Sequence, residues 1–498
     1  MSLYKELITA KDGSVIPVFS SGKTMHSKYS PLREAETFGN DINPGSLFTV
    51  ILGIGGGYHI SSFADKHPDH FIIAVEESEA AISFLKEIKC NIQISNRKNI
   101  IITTPSELSQ ALKKYYLPSV YGGINILSNR PWHEENKELS DQIIKTINET
   151  LKEISRDYSV QCHFGLIWQK NILSNLKTLS KTNLNIDTDK TAAIIAAGPS
   201  LDSTIDRIHS DRAKYYIIAT DTALSVLSKR KIKIDAAVSI DGQNISYKHF
   251  VGNCNQETLF IFDLQANFNA VNYVSSISDK ILFVKSGHPL CTLAEKYSTG
   301  SFTEITSGAG TVTIAAIDFA RKAGFKKFEV YGADFSYINN KPYTKGTYLD
   351  ILYRYDEDKT FPAENLFTHL LYRTEINKKE NVIHTEVLDL YKSTFIDWIN
   401  TNNLKWSFEN DIYVINSPAI NKSSLCPNPV FNFSAFIADI KAVYGKIKNL
   451  KRIEYSDPVI ISILPYVSYL RTKNKEISFE NAVKLALSNI LEYNFYYE

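Results

Sequence analysis

A chain of 498 residues with 55 basic and 54 acidic side chains has no charge excess with which to track a polyanion. Its length exceeds what one ordinary hydrophobic core supports, so two or three domains are expected. Hydrophobic residues at 44% with 22% charged suit a globular protein in water, and no stretch reaches the ~20 apolar residues of a membrane span.

The five cysteines, Cys90, Cys162, Cys254, Cys291 and Cys426, are odd in number and lack CxxC spacing. That excludes neither chemistry outright, but it argues against a disulfide framework or zinc site and for a reducing compartment. The first residues show no basic n-region followed by an apolar stretch, so a cytoplasmic location without a signal peptide is expected.

In chain order, Leu47 to Ser78 reads as strand, glycine turn, helix and strand, its run Phe48 to Leu52 apolar throughout except Thr49, as in a buried parallel strand. Further strands are expected near Ile100 and Ile124. Glu134 to Leu179 is helical in pattern, with Ile143, Ile147, Leu151 and Ile154 at three- and four-residue spacing. These make an N-terminal Rossmann-like α/β domain with a helical connector, residues 1–185. A second α/β alternation follows over 186–420, with strands from Thr191, Tyr215, Ala236, Leu259, Ile281, Lys327 and Asp411, and helices at Thr222 to Lys229 and Thr311 to Ala323. Alternation of this kind predicts a doubly wound, mainly parallel sheet whose ligands bind at the carboxyl ends of its strands. Residues 421–498 hold two amphipathic helices and no strand, a smaller C-terminal helical module.

Three pieces of the second domain point to chemistry. In AAGPSLD (Ala196 to Asp202) a buried strand ends at Gly198, Pro199 forces a turn and a helix starts near Ser200 or Leu201. A glycine lets a phosphate approach the backbone, and the free N–H groups of a helix start favour an anion. Asp221, Asp241 and Asp334 each follow an apolar strand, so they should face one crevice, where they suit ribose hydroxyls, a cytosine amine or Mg²⁺. ITSGAG, with Thr306, Ser307 and Gly308, opens a helix and offers a second anion cradle. The loop that follows the next strand carries Asp334, Phe335, Tyr337 and Tyr343.

These residues carry a resemblance. Thr191 to about Ile420 resembles the bacterial motility accessory factors, flagellin-modifying proteins with an MptE-like central domain, through AAGPSLD, IIATDTALSVLSKRKIKIDAAVSIDGQ, SGAGTVTIAAIDFARKAGF and VYGADFS. TMHSKYSPLREAETF, Thr24 to Phe38, also resembles the multidomain members of that family. The same region is similar to bacterial sialyltransferases that use CMP-sialic acid, with their GPSL loop, ITSG turn and G-x-D-F-Y loop in the same order.

The resemblance implies transfer of a pseudaminic, legionaminic or sialic acid from its CMP-activated form to Ser or Thr of flagellin or another protein acceptor. It implies no cofactor required for catalysis, with Mg²⁺ an open question. By position, Gly198, Ser200, Thr306, Ser307 and Gly308 would contact the CMP phosphate or donor sugar, with Pro199, Leu201, Asp221 and Asp241 completing the nucleotide side. Asp334 and Phe335 would border the nucleotide, and Tyr343 would assist departure of the phosphate. Two departures stand out: Ser336 replaces a second loop tyrosine, leaving Tyr337 as substitute, and Ala197 stands where the sialyltransferases have Asn. His384, in NVIHTEVLDLYK, is the expected general base on the acceptor hydroxyl, with His369 as runner-up.

The first domain carries a rival. GIGGG (Gly53 to Gly57), with Glu76 and Glu77 about 20 residues on, fits a nucleotide- or adenosylmethionine-binding turn and a methyltransferase. An accessory domain that helps recognise the acceptor is the preferred reading there. For the whole chain, the alternative activity is an Mg-ATP-dependent pyrophosphokinase acting on 6-hydroxymethyl-dihydropterin, because archaeal enzymes of that kind share the domain family. A flagellin-binding protein with a decayed nucleotide site is the non-enzymatic alternative.

Overall fold

The computed structural model describes all residues except 1–2, 308–310, 356, 358–361, 373–374, 380–381, 419–422, 454 and 496–498, and except the side chains of 379 and 493–495. It divides into two compact units, Met1–His163 with Val467–Ala482, and Phe164–Tyr466 with Val483–Glu498. Both are Rossmann-like α/β structures. The chain leaves the first unit within one 41-residue helix, Lys137–Lys177. Among the described residues no helix is long and apolar enough to cross a membrane.

The first unit opens with an antiparallel pair that the sequence pattern did not announce, β1 (Tyr4–Thr9) and β2 (Val15–Phe19). Then come the four expected parallel strands, β3 (Phe48–Leu52), β4 (Phe71–Val75), β5 (Ile100–Thr103) and β6 (Ile124–Ser128), in the order β5-β4-β3-β6. Every residue of β3 and β4 is buried, which is why their sequences do not alternate.

The second unit is built on a nine-stranded sheet. Its strands are β7 (Thr191–Ile195), β8 (Tyr215–Thr220), β9 (Ala236–Ser239), β10 (Leu259–Asp263), β11 (Ile281–Lys285), β12 (Thr303–Glu304) and β13 (Lys327–Tyr331). Three strands, β14 (Tyr337–Ile338), β15 (Ile376–Lys379) and β16 (Val382–Thr385), leave that series to form a small antiparallel sheet of order β14-β16-β15. Finally β17 (Lys405–Glu409) and β18 (Ile412–Asn416) return to the large sheet, ordered β12-β11-β10-β9-β8-β7-β13-β18-β17. From β12 to β13 neighbours run parallel, and β18 and β17 join antiparallel. One face packs on the helix Val312–Ala323, whose Ile314, Ala315, Ile317 and Phe319 have no exposed surface. Ile314, Ile317 and Phe319 each contribute about 1.5–3 kcal/mol on burial.

The order of the sheet reverses between β7 and β13, since β8 to β12 lie on one side of β7 and β13 on the other. That is the switch point at which open α/β sheets bind ligands. Beyond the sheet, helices Phe433–Ile447, Pro458–Ser462, Leu464–Lys473 and Phe479–Phe495 complete the chain.

Candidate active site

At the switch point the two strand ends are bonded to each other. Gly198 N–H donates to Gly332 O at 2.8 Å, and Ala196 N–H donates to Tyr331 O at 2.9 Å. The approach is so close that a Cβ on Gly198 would fall 2.3 Å from Asp334 Oδ2 and 2.5 Å from Gly332 O. The glycine is therefore required by the protein's own loop, a use that the sequence pattern alone cannot tell from phosphate approach. Asp334 Oδ2 accepts the Ser200 N–H at 2.9 Å, so a carboxylate already sits on a donor at the start of the helix Leu201–Ser210. Burial raises the Asp334 pKa against the opposing pull of Ser200. Ser200 caps nothing: its Oγ is buried without a partner at hydrogen-bond geometry, though its dipole helps hold the Asp334 carboxylate. Pro199 and Leu201 are buried.

The loop after Asp334 is strained. Phe335 takes φ of 48°, a left-handed value that costs a non-glycine residue about 1–3 kcal/mol where the backbone is held there, whereas Asn339 and Asn340, at 52° and 59°, form the two-residue turn between Ile338 and Lys341 in which asparagine is at ease. Phe335 turns its ring onto Phe395, 5.2 Å between centroids, and packs against the core. The loop then folds over the ends of β7 and β8: Thr344 N–H donates to Ala197 O at 2.9 Å, Thr344 Oγ1 donates to Asp202, and Ser225 Oγ donates to Gly346 O at 2.8 Å.

This fold-over brings Tyr343 close to Asp221. Tyr343 keeps 39% of its surface exposed, yet its phenol is pushed up to about 12 by burial among its neighbours, then by Tyr348, Tyr337 and the charge of Asp221. Asp221 is 2% exposed, and its carboxylate accepts from Thr222 N–H at 2.7 Å and Ser239 Oγ–H at 2.6 Å. Asp241 accepts from Gln243 N–H at 2.9 Å. Its pKa is raised by burial and by the neighbouring Asp221 charge. Asp221 and Asp241 therefore share one region, whereas Asp334 is turned to Ser200 and feels Asp411 instead.

One residue here was not singled out by motif. His249 is 6% exposed, stacks edge-on to Tyr348 with centroids 4.5 Å apart, and leaves Nδ1 buried without a partner. It lies near enough to Asp241 to lower that carboxyl's pKa against the effect of burial. A histidine eight residues past a strand-end aspartate was the available signal.

His384 lies on β16. Tyr337 pairs with Ile383, so those two side chains share a face of the small sheet and His384 occupies the other. Its Nδ1 lies 3.1 Å from Asp389 Oδ1, a contact that orients the ring. His369 is exposed in the last turn of the helix Ala363–Leu371. Thr306 N–H donates to the buried Asp318 at 2.8 Å, which pins the second turn from below, and Ser307 follows. Gly308 lies outside the described residues. Among the described residues, no group of three or more His, Cys, Asp or Glu side chains is arranged to hold a metal ion.

The first domain's glycine turn is filled by the protein. Both oxygens of Glu76 are taken: Ile54 N–H at 2.9 Å and Tyr4 O–H at 3.1 Å on Oε2, Glu77 N–H at 3.0 Å and Trp132 Nε1–H at 2.6 Å on Oε1. Gly56 N–H donates to His26 Nε2 at 2.8 Å, and a Cβ on Gly55 would meet Met25 and His26 within 2.8 Å. The expected ribose carboxylate is thus an internal anchor, and Met25 and His26 of the segment Thr24 to Phe38 pack directly against Gly55 and Gly56.

Comparison with known proteins fits this architecture. A family profile described as 6-hydroxymethylpterin diphosphokinase MptE-like matches residues 170–340. An uncharacterized protein of Treponema pallidum (strain Nichols) is 34% identical over 177 residues, covering 32% of this chain and 84% of that protein. This chain belongs to the family of that treponemal protein. A second uncharacterized protein of the same organism is 28% identical over 243 residues, 48% of this chain and 77% of the relative. Among solved structures, the Maf glycosyltransferase of Magnetospirillum magneticum AMB-1 superposes with a TM-score of 0.53 over 99% of this chain and 91% of that one, at 11% identity. That likeness is one of fold, and the MptE-like domain holds most of the strand ends described above.

Proposed function

We propose that this protein is a cytoplasmic glycosyltransferase that moves a nonulosonic acid from a CMP-activated donor to a Ser or Thr hydroxyl of flagellin or another protein acceptor. The observation that carries the reading is Tyr343 lying close enough to Asp221, at the carboxyl end of β8, to feel its charge, with Tyr348 and Tyr337 beside it. A phenol whose proton is held to about pH 12 is a donor at neutral pH, suited to the phosphate oxygen that gains charge as CMP departs. In this reading the acceptor oxygen attacks the anomeric carbon, the bond from that carbon to the CMP phosphate breaks, and the acceptor proton passes to His384, held by Asp389. The end-to-end likeness in fold to a Maf glycosyltransferase supports it.

The MptE-like match favours one second reading, pyrophosphoryl transfer from Mg-ATP to a hydroxymethylated pterin. There Asp221 and Asp241 would share the ion with substrate phosphates, since Mg²⁺ commonly takes one or two carboxylates and fills its shell with phosphate and water. Calorimetry on the full chain tests both. CMP binding without Mg²⁺, weakened by Tyr343→Phe, supports glycosyl transfer; ATP binding that requires Mg²⁺, with none for CMP, overturns it.

A further inference from the structure

One edge of the large sheet is left open. β17, with the sequence KWSFE, pairs with β18 on one side, and among the described residues no strand covers its other side. The hairpin decides which backbone groups that open side presents. Its turn residues, Asn410 and Asp411, take φ of 51° and 61°, the geometry of a two-residue type I′ turn, which closes on a hydrogen-bonded pair, here Glu409 with Ile412. Hydrogen-bonded pairs alternate along an antiparallel ladder. Ser407 and Lys405 therefore also bond to β18, and the N–H and C=O groups of Trp406 and Phe408 point outwards.

The side chains divide between the two faces of the strand. Lys405, Ser407 and Glu409 share one face, where the two charges are exposed and, among the described residues, have no ion pair. Trp406 and Phe408 share the other, opposite Ile415 and Tyr413, which belong to the buried core of the unit. Both rings reach Tyr413, with centroids 5.9 Å away for Trp406 and 4.6 Å for Phe408. Yet Trp406 keeps 39% of its surface exposed and Phe408 53%. The apolar face of the sheet thus runs out to an uncovered edge, and such an edge is a template for a further strand.

We propose that this edge pairs with the same edge of a second copy of the chain, antiparallel about a twofold axis at Ser407. Outward-pointing residues must face one another in the new ladder. Of the registers that satisfy this, the one that sets Trp406 opposite Phe408 of the second copy aligns β17 along its whole length. The same register sets Lys405 opposite Glu409 of the second copy, and Glu409 opposite its Lys405. KWSFE is therefore complementary to itself read backwards, which an isologous interface requires. Opposite charges and aromatic pairs directly across two strands stabilise their pairing, and like charges there oppose it. An edge lysine alone would repel a second strand; Glu409, placed symmetrically about Ser407, turns that repulsion into attraction. The pairing does not depend on the glycosyl-transfer reading.

The test is sedimentation velocity of the full chain across the micromolar range, where the wild type should form a dimer. Lys405→Glu sets carboxylate against carboxylate, and Glu409→Lys ammonium against ammonium, twice in each interface. Each should weaken association about tenfold or more. The double variant Lys405→Glu/Glu409→Lys restores both pairs and should associate nearly as the wild type does. An equimolar mixture of the two single variants should likewise associate more tightly than either alone. Both positions are exposed, so the melting curves should match that of the wild type; should the double variant misfold, the mixture decides. A wild-type chain that stays monomeric, single variants that associate as tightly as the wild type, or rescue in neither the double variant nor the mixture would overturn the proposal.

Discussion

Gly198→Ala tests the geometry at the switch point. The added methyl would lie 2.3 Å from Asp334 Oδ2 and 2.5 Å from Gly332 O, and the second of these is backbone and cannot swing aside. Relieving the overlap means separating the ends of β7 and β13, which stretches Gly198 N–H···Gly332 O and Ser200 N–H···Asp334. Overpacking of this kind costs about 1–3 kcal/mol, and a weakened hydrogen bond to a charged group about 1.5–3 kcal/mol more. A loss of roughly 2.5–6 kcal/mol, the sum of the two, read by urea denaturation followed by intrinsic fluorescence, is the expected result. Asp334→Ala removes one of the two clashing atoms, so the double variant should cost less than the sum of the singles by about 1 kcal/mol or more. Wild-type stability for Gly198→Ala, or strict additivity in the cycle, would refute the close contact and return Gly198 to the role of a ligand-facing glycine.

Ser200→Ala removes a buried hydroxyl that has no partner, so stability should change little while CMP affinity falls by about 1–3 kcal/mol on binding; calorimetry and thermal melts read the two effects separately. Asp241→Asn should raise the melting temperature at pH 7, because a carboxylate whose pKa is raised by burial and by Asp221 destabilises the fold when charged, and it should lower activity. His59 is neutral in the fold and charges only near pH 4, so the unfolded chain takes up that proton first as pH falls below ~6.5. Stability on the order of 3 kcal/mol should then be lost between about pH 6.5 and about pH 4, and His59→Phe should flatten that slope in pH-dependent melts. His384→Ala should reduce transfer about 10²–10⁴-fold with donor affinity unchanged, whereas an equal loss in His369→Ala alone would move the base to that residue.

The sheets were legible because their strands are buried on both sides: Phe48–Leu52 and Leu259–Asp263 are nearly unbroken apolar runs, which only a covered parallel strand tolerates. β1, β14 and β15 were not, because they are short, partly exposed and pair at long range or with a neighbour outside the main sheets, and β2, though buried, is only five residues long with a proline at its centre. At the site, AAGPSLD and VYGADF announced a turn and an acidic strand end but not that Gly198 and Asp334 satisfy each other. Residues that serve the loop and residues that serve a ligand share one vocabulary of glycine, serine and aspartate. Glu76 makes the same point, its spacing from the glycines right and its oxygens fully used by Ile54, Tyr4, Glu77 and Trp132. His249 carried no motif, since its place beside Asp241 depends on the fold of the loop after β9.

The central claim is most directly tested by following CMP release from a CMP-activated nonulosonic acid incubated with the full chain and a flagellin acceptor, for the wild type and Tyr343→Phe. CMP release coupled to glycosylation of the acceptor without added ATP, and a large loss of rate in Tyr343→Phe, are the expected results. No release from any CMP-activated donor, together with AMP formation from Mg-ATP and a hydroxymethylated pterin, would contradict it.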